Sequence, residues 1–156
     1  MNDRQLVFKS LGQALHALDS LVQAQALPPG TEWSWAQTLE HCAQSIEYSM
    51  TGFPQARSAI FQRTVGAAAI SVFSWRGRMN HSLAEPIPGA PVLQANSDVA
   101  QAEARLRHAV RTFQQWTAPL KPHFAYGDLG KSAFDQAHAM HIANHFSAFT
   151  SPSLKT

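Results

Sequence analysis

Eight histidines in 156 residues are the feature of this sequence most able to carry chemistry. Three of them, His138, His141 and His145, fall in one run, HAMHIANHF. On a helix, positions four apart lie about 40° apart around the axis and one turn apart along it. His141 and His145 can therefore reach one point above a common face. Two neutral imidazoles so placed form a half-site for zinc, nickel, copper or iron. His138 lies one turn earlier, about 60° round, and is a candidate fourth ligand. The plain alternative is three helix-surface histidines, or one buried ring with a hydrogen-bonded partner. Short motifs match by chance, so spacing alone leaves both readings open.

A metal needs a further ligand from another segment. His41, in TLEHCAQSIEYSM, is the best candidate. Leu39 and Ile46 bracket it on the apolar half of a helix, so its ring should point inward or sit at the edge of the core. A buried imidazole with nothing bound to it is costly. His108 sits among Arg105, Arg107 and Arg111, which suggests a solvated face. His16, His81 and His123 are weaker candidates, and exposure is the expectation for His81 and His123, at helix ends or in loops. Asp135, one turn before His138, can orient that ring through an N–H or be an ordinary surface partner. Tyr48, seven residues after His41 on the same face, can offer a proton near a metal or simply fill the core. Cys42 follows His41 directly, but neighbouring helix residues point about 100° apart. It reads as a small buried residue.

The elements that must position these residues are helical. Leu6, Val7, Leu11, Ala14, Leu15, Leu18, Leu21 and Val22 paint one stripe, which predicts a helix from about Asp3 to Ala24. Leu27-Pro28-Pro29-Gly30 should end it. Ser34 with Gln37 is a capping-box pattern, opening a helix through Leu39, Ala43, Ile46 and Met50 that stops near Gly52. A third helix is expected from Arg57 to Gly77. It is apolar nearly all round, which predicts a central position. Glu85 to Asn96 (EPIPGAPVLQAN) is a proline-rich loop of the kind that serves as a lid or contact surface. A fourth helix should begin at Ser97-Asp98, with Ser97 as cap and Asp98 complementing the dipole. The last should run from about Lys131 to Phe149. No strand is expected. The pattern reads as one all-α domain over residues 1–156, an antiparallel bundle.

Composition narrows the function. Hydrophobic residues make up 45% and charged residues 14%, which argues against disorder. A net charge of +2 is too small to imply nucleic acid. The single cysteine excludes an internal disulfide and cysteine-rich zinc knuckles. No apolar stretch is long enough to span a bilayer, and the N-terminus lacks signal-peptide features. A soluble cytoplasmic protein that binds neither nucleic acid nor membrane is the expectation.

Four motifs carry a family resemblance: HCAQSIEYSM, EPIPGAP, HFAYGDL and HAMHIANHF. With the order of helices, they resemble the DinB-like superfamily of metalloenzymes, in a branch of unassigned function. The resemblance implies a four-helix bundle of up-down-down-up arrangement, here with an additional helix and the long proline-rich loop. It implies that His41, His141 and His145 hold a divalent metal (zinc, nickel or iron). This branch usually has histidine where the chain has Asn144, and often a polar cap where it has Gly130. Some relatives are transferases or isomerases using a low-molecular-weight thiol, so such a thiol is a candidate cofactor. A homodimer and a small-molecule substrate are also in keeping with the resemblance.

Three ligands leave a coordination position open, which favours catalysis or substrate binding over a closed structural site. HIANH lacks the Glu of HExxH peptidases, so their general base is missing. Hydrolysis by metal-bound water competes with thiol chemistry. A non-catalytic metal- or ligand-binding bundle is the alternative in another class. Arg76 and Arg78, beside Trp75, are candidate anion binders. Trp33, Trp35, Phe124 and Tyr126 are candidate walls of an apolar pocket, or packing between helices.

Overall fold

A computed structural model describes residues 5–22 and 32–149. Helices run over α1 Leu11–Val22, α2 Trp35–Thr51, α3 Ala59–Phe61, α4 Ala67–Arg76, α5 Val99–Gln115 and α6 Lys131–Ser147. A π turn, Gln62–Gly66, joins α3 to α4, so these three pieces make one rod. Among the described residues the only bridge pairing is between His123 and Gly127. No helix of the described residues is long and apolar enough to cross a membrane.

Four helices build the core. Leu11, Ala14 and Leu18 of α1 meet Leu39, Ala43 and Ile46 of α2, Leu106, Val110 and Phe113 of α5, and Phe134, Ile142 and Phe146 of α6. The sets of α1 and α5 recur at three- and four-residue steps, so each of these helices buries one stripe, whereas α2 and α6 are buried on most sides, with unbroken runs over 41–46 and 142–146. α2 packs on α5 and α6, and α1 packs on α6. α2 and α5 are opened by side chains that satisfy their free amides, whereas α6 begins at Gly130 with no side-chain cap. In α2, Ser34 Oγ accepts from Gln37 N–H and Gln37 Oε1 accepts from Ser34 N–H. In α5 the cap is Asp98, whose carboxylate accepts from Gln101 N–H at 2.8 Å. Ser97, expected as that cap, instead donates to Glu40 at 3.2 Å.

α1 begins later than the apolar stripe suggests. Ser10 caps it by accepting from Gln13 N–H. The segment before it is not helical and docks on other elements. Leu6 N–H donates to Ser147 Oγ at 2.8 Å, and Gln5 Nε2 donates to Met79 O at 2.8 Å. Phe8 packs edge-on against Phe146. Leu6 and Phe8 thus reach the core from an unwound segment. The Pro28-Pro29 stop lies outside the described residues.

The third rod is peripheral, not central. None of the residues of α3 or α4 is buried, and Ile60, Val65, Val72 and Trp75 are exposed. Its apolar residues are spread around the rod and leave no single stripe to bury, and the core is already enclosed by α1, α2, α5 and α6. The rod's closest seating is at Gly66, where a Cβ would run into the Ala125 carbonyl oxygen. Gln62 Nε2 donates to Phe124 O and Arg57 N–H donates to the same carbonyl at 2.8 Å. The π turn therefore lies on the 123–127 turn.

The proline-rich loop lies along α2. Buried Gln37 and Gln44 of α2 donate to Leu93 O and Pro91 O. Pinned this way, the loop presents Glu85, Pro86, Ile87 and Pro88 to a cavity of about 190 Å³ beside α6.

Candidate metal centre

α2 and α6 pack with His41 facing His141 and His145. His141 Nε2 lies 3.1 Å from His41 Nε2 and 3.2 Å from His145 Nε2. The three ligand atoms all lie within 4.8 Å of one another. Nitrogens bound to one zinc ion at roughly 2.0–2.1 Å in a tetrahedron would stand about 3.3–3.4 Å apart. The two separations from His141 Nε2 are close to that spacing, and the third is within 4.8 Å.

Protons cannot account for this convergence as well as a cation can. An imidazole nitrogen has one in-plane position, holding either a proton or a lone pair. His141 Nε2 must use that one position for two contacts. Meanwhile the Nδ1 atoms of His41 and His141 are buried with no partner among the described residues. Three lone pairs directed at one cation satisfy all three Nε2 atoms together. Neutral imidazoles suit zinc, nickel, copper and iron, so the residues present fit a divalent ion.

The electrostatics keep these rings neutral and ready to bind. Burial, with His81 nearby, lowers the His41 pKa to about 4. His141 and His145 are held well below the ordinary value, first by burial and then by the neighbouring histidines. Packing, rather than hydrogen bonds to Nδ1, orients the rings. Trp33 lies 4.9 Å from the His41 ring and is stacked 6.3 Å from His145. On the other side His81 stacks on His141 at 5.0 Å.

The remaining sequence candidates sit elsewhere. His138 is buried between Phe113 and Phe134, with Nε2 3.1 Å from Ser49 Oγ. It is outside the cluster of three. Asp135 lies outside the cluster of three; burial pushes its carboxyl up, against a smaller opposing effect of the Leu11 amide. Tyr48 packs on Phe53 at 5.8 Å and does not line the cavity. Arg76 and Arg78 are exposed and do not line it either. Arg57 does, lying over the Phe61 ring at 5.6 Å. Phe124 and Tyr126 also line it, whereas Trp35 is buried against Phe146 and Phe149. Cys42 is fully buried and its thiol is pushed up by desolvation. His108 is exposed, as its arginine neighbours suggest.

Two histidines belong near the site that the sequence placed at the surface. His81 is partly buried against His141 and His145. His123 is buried, stacks on Tyr126 at 4.3 Å and lines the cavity. The local signal for His123 was the turn itself. Gly127, at φ 76°, lets the chain fold back so that His123 and Gly127 exchange two backbone hydrogen bonds.

These features define a helical domain with a three-histidine cluster opening on a cavity. The chain matches the family model described as "Protein of unknown function (DUF1569)" over residues 1–152 and belongs to that family. Neither the curated proteins nor the solved structures contain a match.

Proposed function

We propose that this protein is a divalent-metal-dependent enzyme acting on a small molecule, with His41, His141 and His145 as the metal ligands. The observation that carries the reading is the approach of both His41 Nε2 and His145 Nε2 to the single Nε2 of His141. The adjoining cavity supplies the second half of the argument. It is lined by both His41 and His141, so an open coordination position has room beside it for a substrate.

A bound ion would supply Lewis acidity, or lower the pKa of a coordinated water or thiol. The chain's own residues do the rest. The three imidazoles hold the ion, Trp33 and His81 fix the rings, and Phe61, Ile87 and Phe124 give the cavity an apolar wall. The DinB-like resemblance supports a thiol-dependent transferase or isomerase, and the four core helices are compatible with it.

Metal analysis of protein purified without a histidine tag tests the ligand reading. About one divalent ion per chain is expected. No bound metal and no affinity for added zinc or nickel would overturn it. An activity screen with low-molecular-weight thiols and with ester and amide substrates then separates an enzyme from a non-catalytic metal binder. Turnover that follows metal content supports the enzyme, and metal without turnover supports the binder.

A further inference from the structure

The cavity beside the cluster holds two more histidines whose protons are fixed by their neighbours. His123 Nδ1 accepts from the backbone amides of Ala125 at 3.1 Å and Tyr126 at 3.2 Å. Two donors can meet only a lone pair, so the His123 proton is on Nε2. His138 is fixed through Ser49. The Ser49 hydroxyl lies 2.6 Å from Ile46 O, a separation that requires the hydroxyl to donate there. Its one proton is then used. His138 Nε2, 3.1 Å from the same hydroxyl oxygen, must be the donor, and Nδ1 keeps a lone pair.

Both rings line the cavity, and both lie against Phe134, at 6.3 Å for His123 and 5.4 Å for His138. His123 Nε2 and His138 Nδ1 have no partner among the described residues, yet neither is a fully enclosed unpaired atom. The cavity therefore carries a fixed donor and a fixed acceptor. Burial holds both rings neutral, with each pKa lowered to about 3.

Arg57 and Glu85 also line the cavity, one charge of each sign, and at the His123–His138 pair itself head groups are discriminated by their donors and acceptors. A carboxylate offers only acceptors, so one oxygen would face the His138 lone pair. An ammonium group offers only donors and would set an N–H against that of His123. A carboxamide or a hydroxyl offers one of each. We propose that the cavity binds a small, largely apolar molecule through a neutral donor–acceptor group, a carboxamide or a hydroxyl, held between His123 Nε2–H and His138 Nδ1. The proposal rests on the reading of this cavity as the substrate site, but not on the metal being present.

The test uses the whole, metal-free protein with ¹⁵N-labelled histidine. Two-bond proton–nitrogen spectra should show both His123 and His138 protonated at Nε2 alone. A proton on Nδ1 of either ring would overturn the proposal. Benzamide, benzyl alcohol, benzoate and benzylamine are then titrated separately. Benzamide or benzyl alcohol should shift both rings' signals and bind at least about 10-fold more tightly than the two charged probes. Equal or tighter binding of benzoate or benzylamine, or no binding of either neutral probe, would overturn it. Ser49→Ala frees His138 to change tautomer. Its spectrum should show an Nδ1–H population and the preference for the neutral probes should fall to within about 3-fold, with melting temperature as the check on folding. An unchanged preference would refute the role of the Ser49–His138 pair. Zinc titration of the same preparation reports separately on the three-histidine reading, so the two can fail independently.

Discussion

The Nε2 atoms of His41 and His141 lie 3.1 Å apart across 100 residues of sequence. That closeness is produced by the packing of α2 on α6, and His145 joins because it follows His141 by one helical turn.

Removing one member should therefore abolish the centre. His141→Ala is expected to weaken zinc binding by on the order of 100-fold or more, because His141 Nε2 is shared by both contacts. His108→Ala, on an exposed face of α5, should leave zinc binding unchanged. Competition against a chromophoric chelator measures both. Equal affinities in the two variants would show that the metal is held elsewhere.

Acid should destabilise the protein. Folded His123 and His138 titrate at about 3, against 6.5 for an ordinary histidine, chiefly because both are buried. The unfolded chain takes up protons through pH 6.5 while the folded rings stay neutral. Their contribution is complete above that pH and is lost as pH falls towards 3, by about 1.4 kcal/mol per pH unit per histidine. His81 bears on His123, and His123 on His138, each in the same direction. Urea midpoints at pH 7.5 and 5.0 provide the measurement, with the lower midpoint expected at 5.0. A midpoint that does not fall would contradict the burial of these rings as neutral groups.

Asp135 is not a ligand-orienting carboxylate. Burial raises the Asp135 pKa more than the Leu11 amide lowers it, so Asp135→Ala is expected to change stability by less than about 1 kcal/mol and to leave zinc affinity as it was. A loss of zinc affinity at unchanged stability would reverse that assignment.

Gly66 is fixed by a neighbour rather than by its own backbone angles. Gly66→Ala puts a methyl group into the Ala125 carbonyl oxygen, so a loss of about 1–3 kcal/mol is expected. A urea midpoint equal to that of the parent would mean that the rod and the turn can separate at no cost.

Local patterns were legible in the sequence, and contacts across the fold were not. The Ser34–Gln37 box formed because both partners lie three residues apart. The stripe of α5 was equally local. Leu39 and Ile46 placed His41 inward or at the edge of the core, and it is buried. By contrast, Leu6 fits the α1 stripe but is drawn off by Ser147, a residue at the far end of the chain. The apolar third rod reads as central from composition alone, yet its place depends on a carbonyl at Ala125 that no periodicity encodes. Trp33, His81 and His123 reach the site from loops or turns, where spacing carries no information about direction. For His123 the clue was the HFAYG turn, for His81 there was none.

The π turn gives the third rod a surplus residue, which swings its second half by roughly 100° relative to its first. Gln62, at the start of that turn, engages Phe124, while α4 leans on α6. The rod behaves as a crankshaft, and its offset lets one continuous helix serve two supports that a straight one could not touch together. Deleting a single residue between Gln62 and Gly66 would straighten it and force a choice between them. Tolerance to length changes along this rod is therefore least at its most irregular point, the reverse of what irregular segments usually allow.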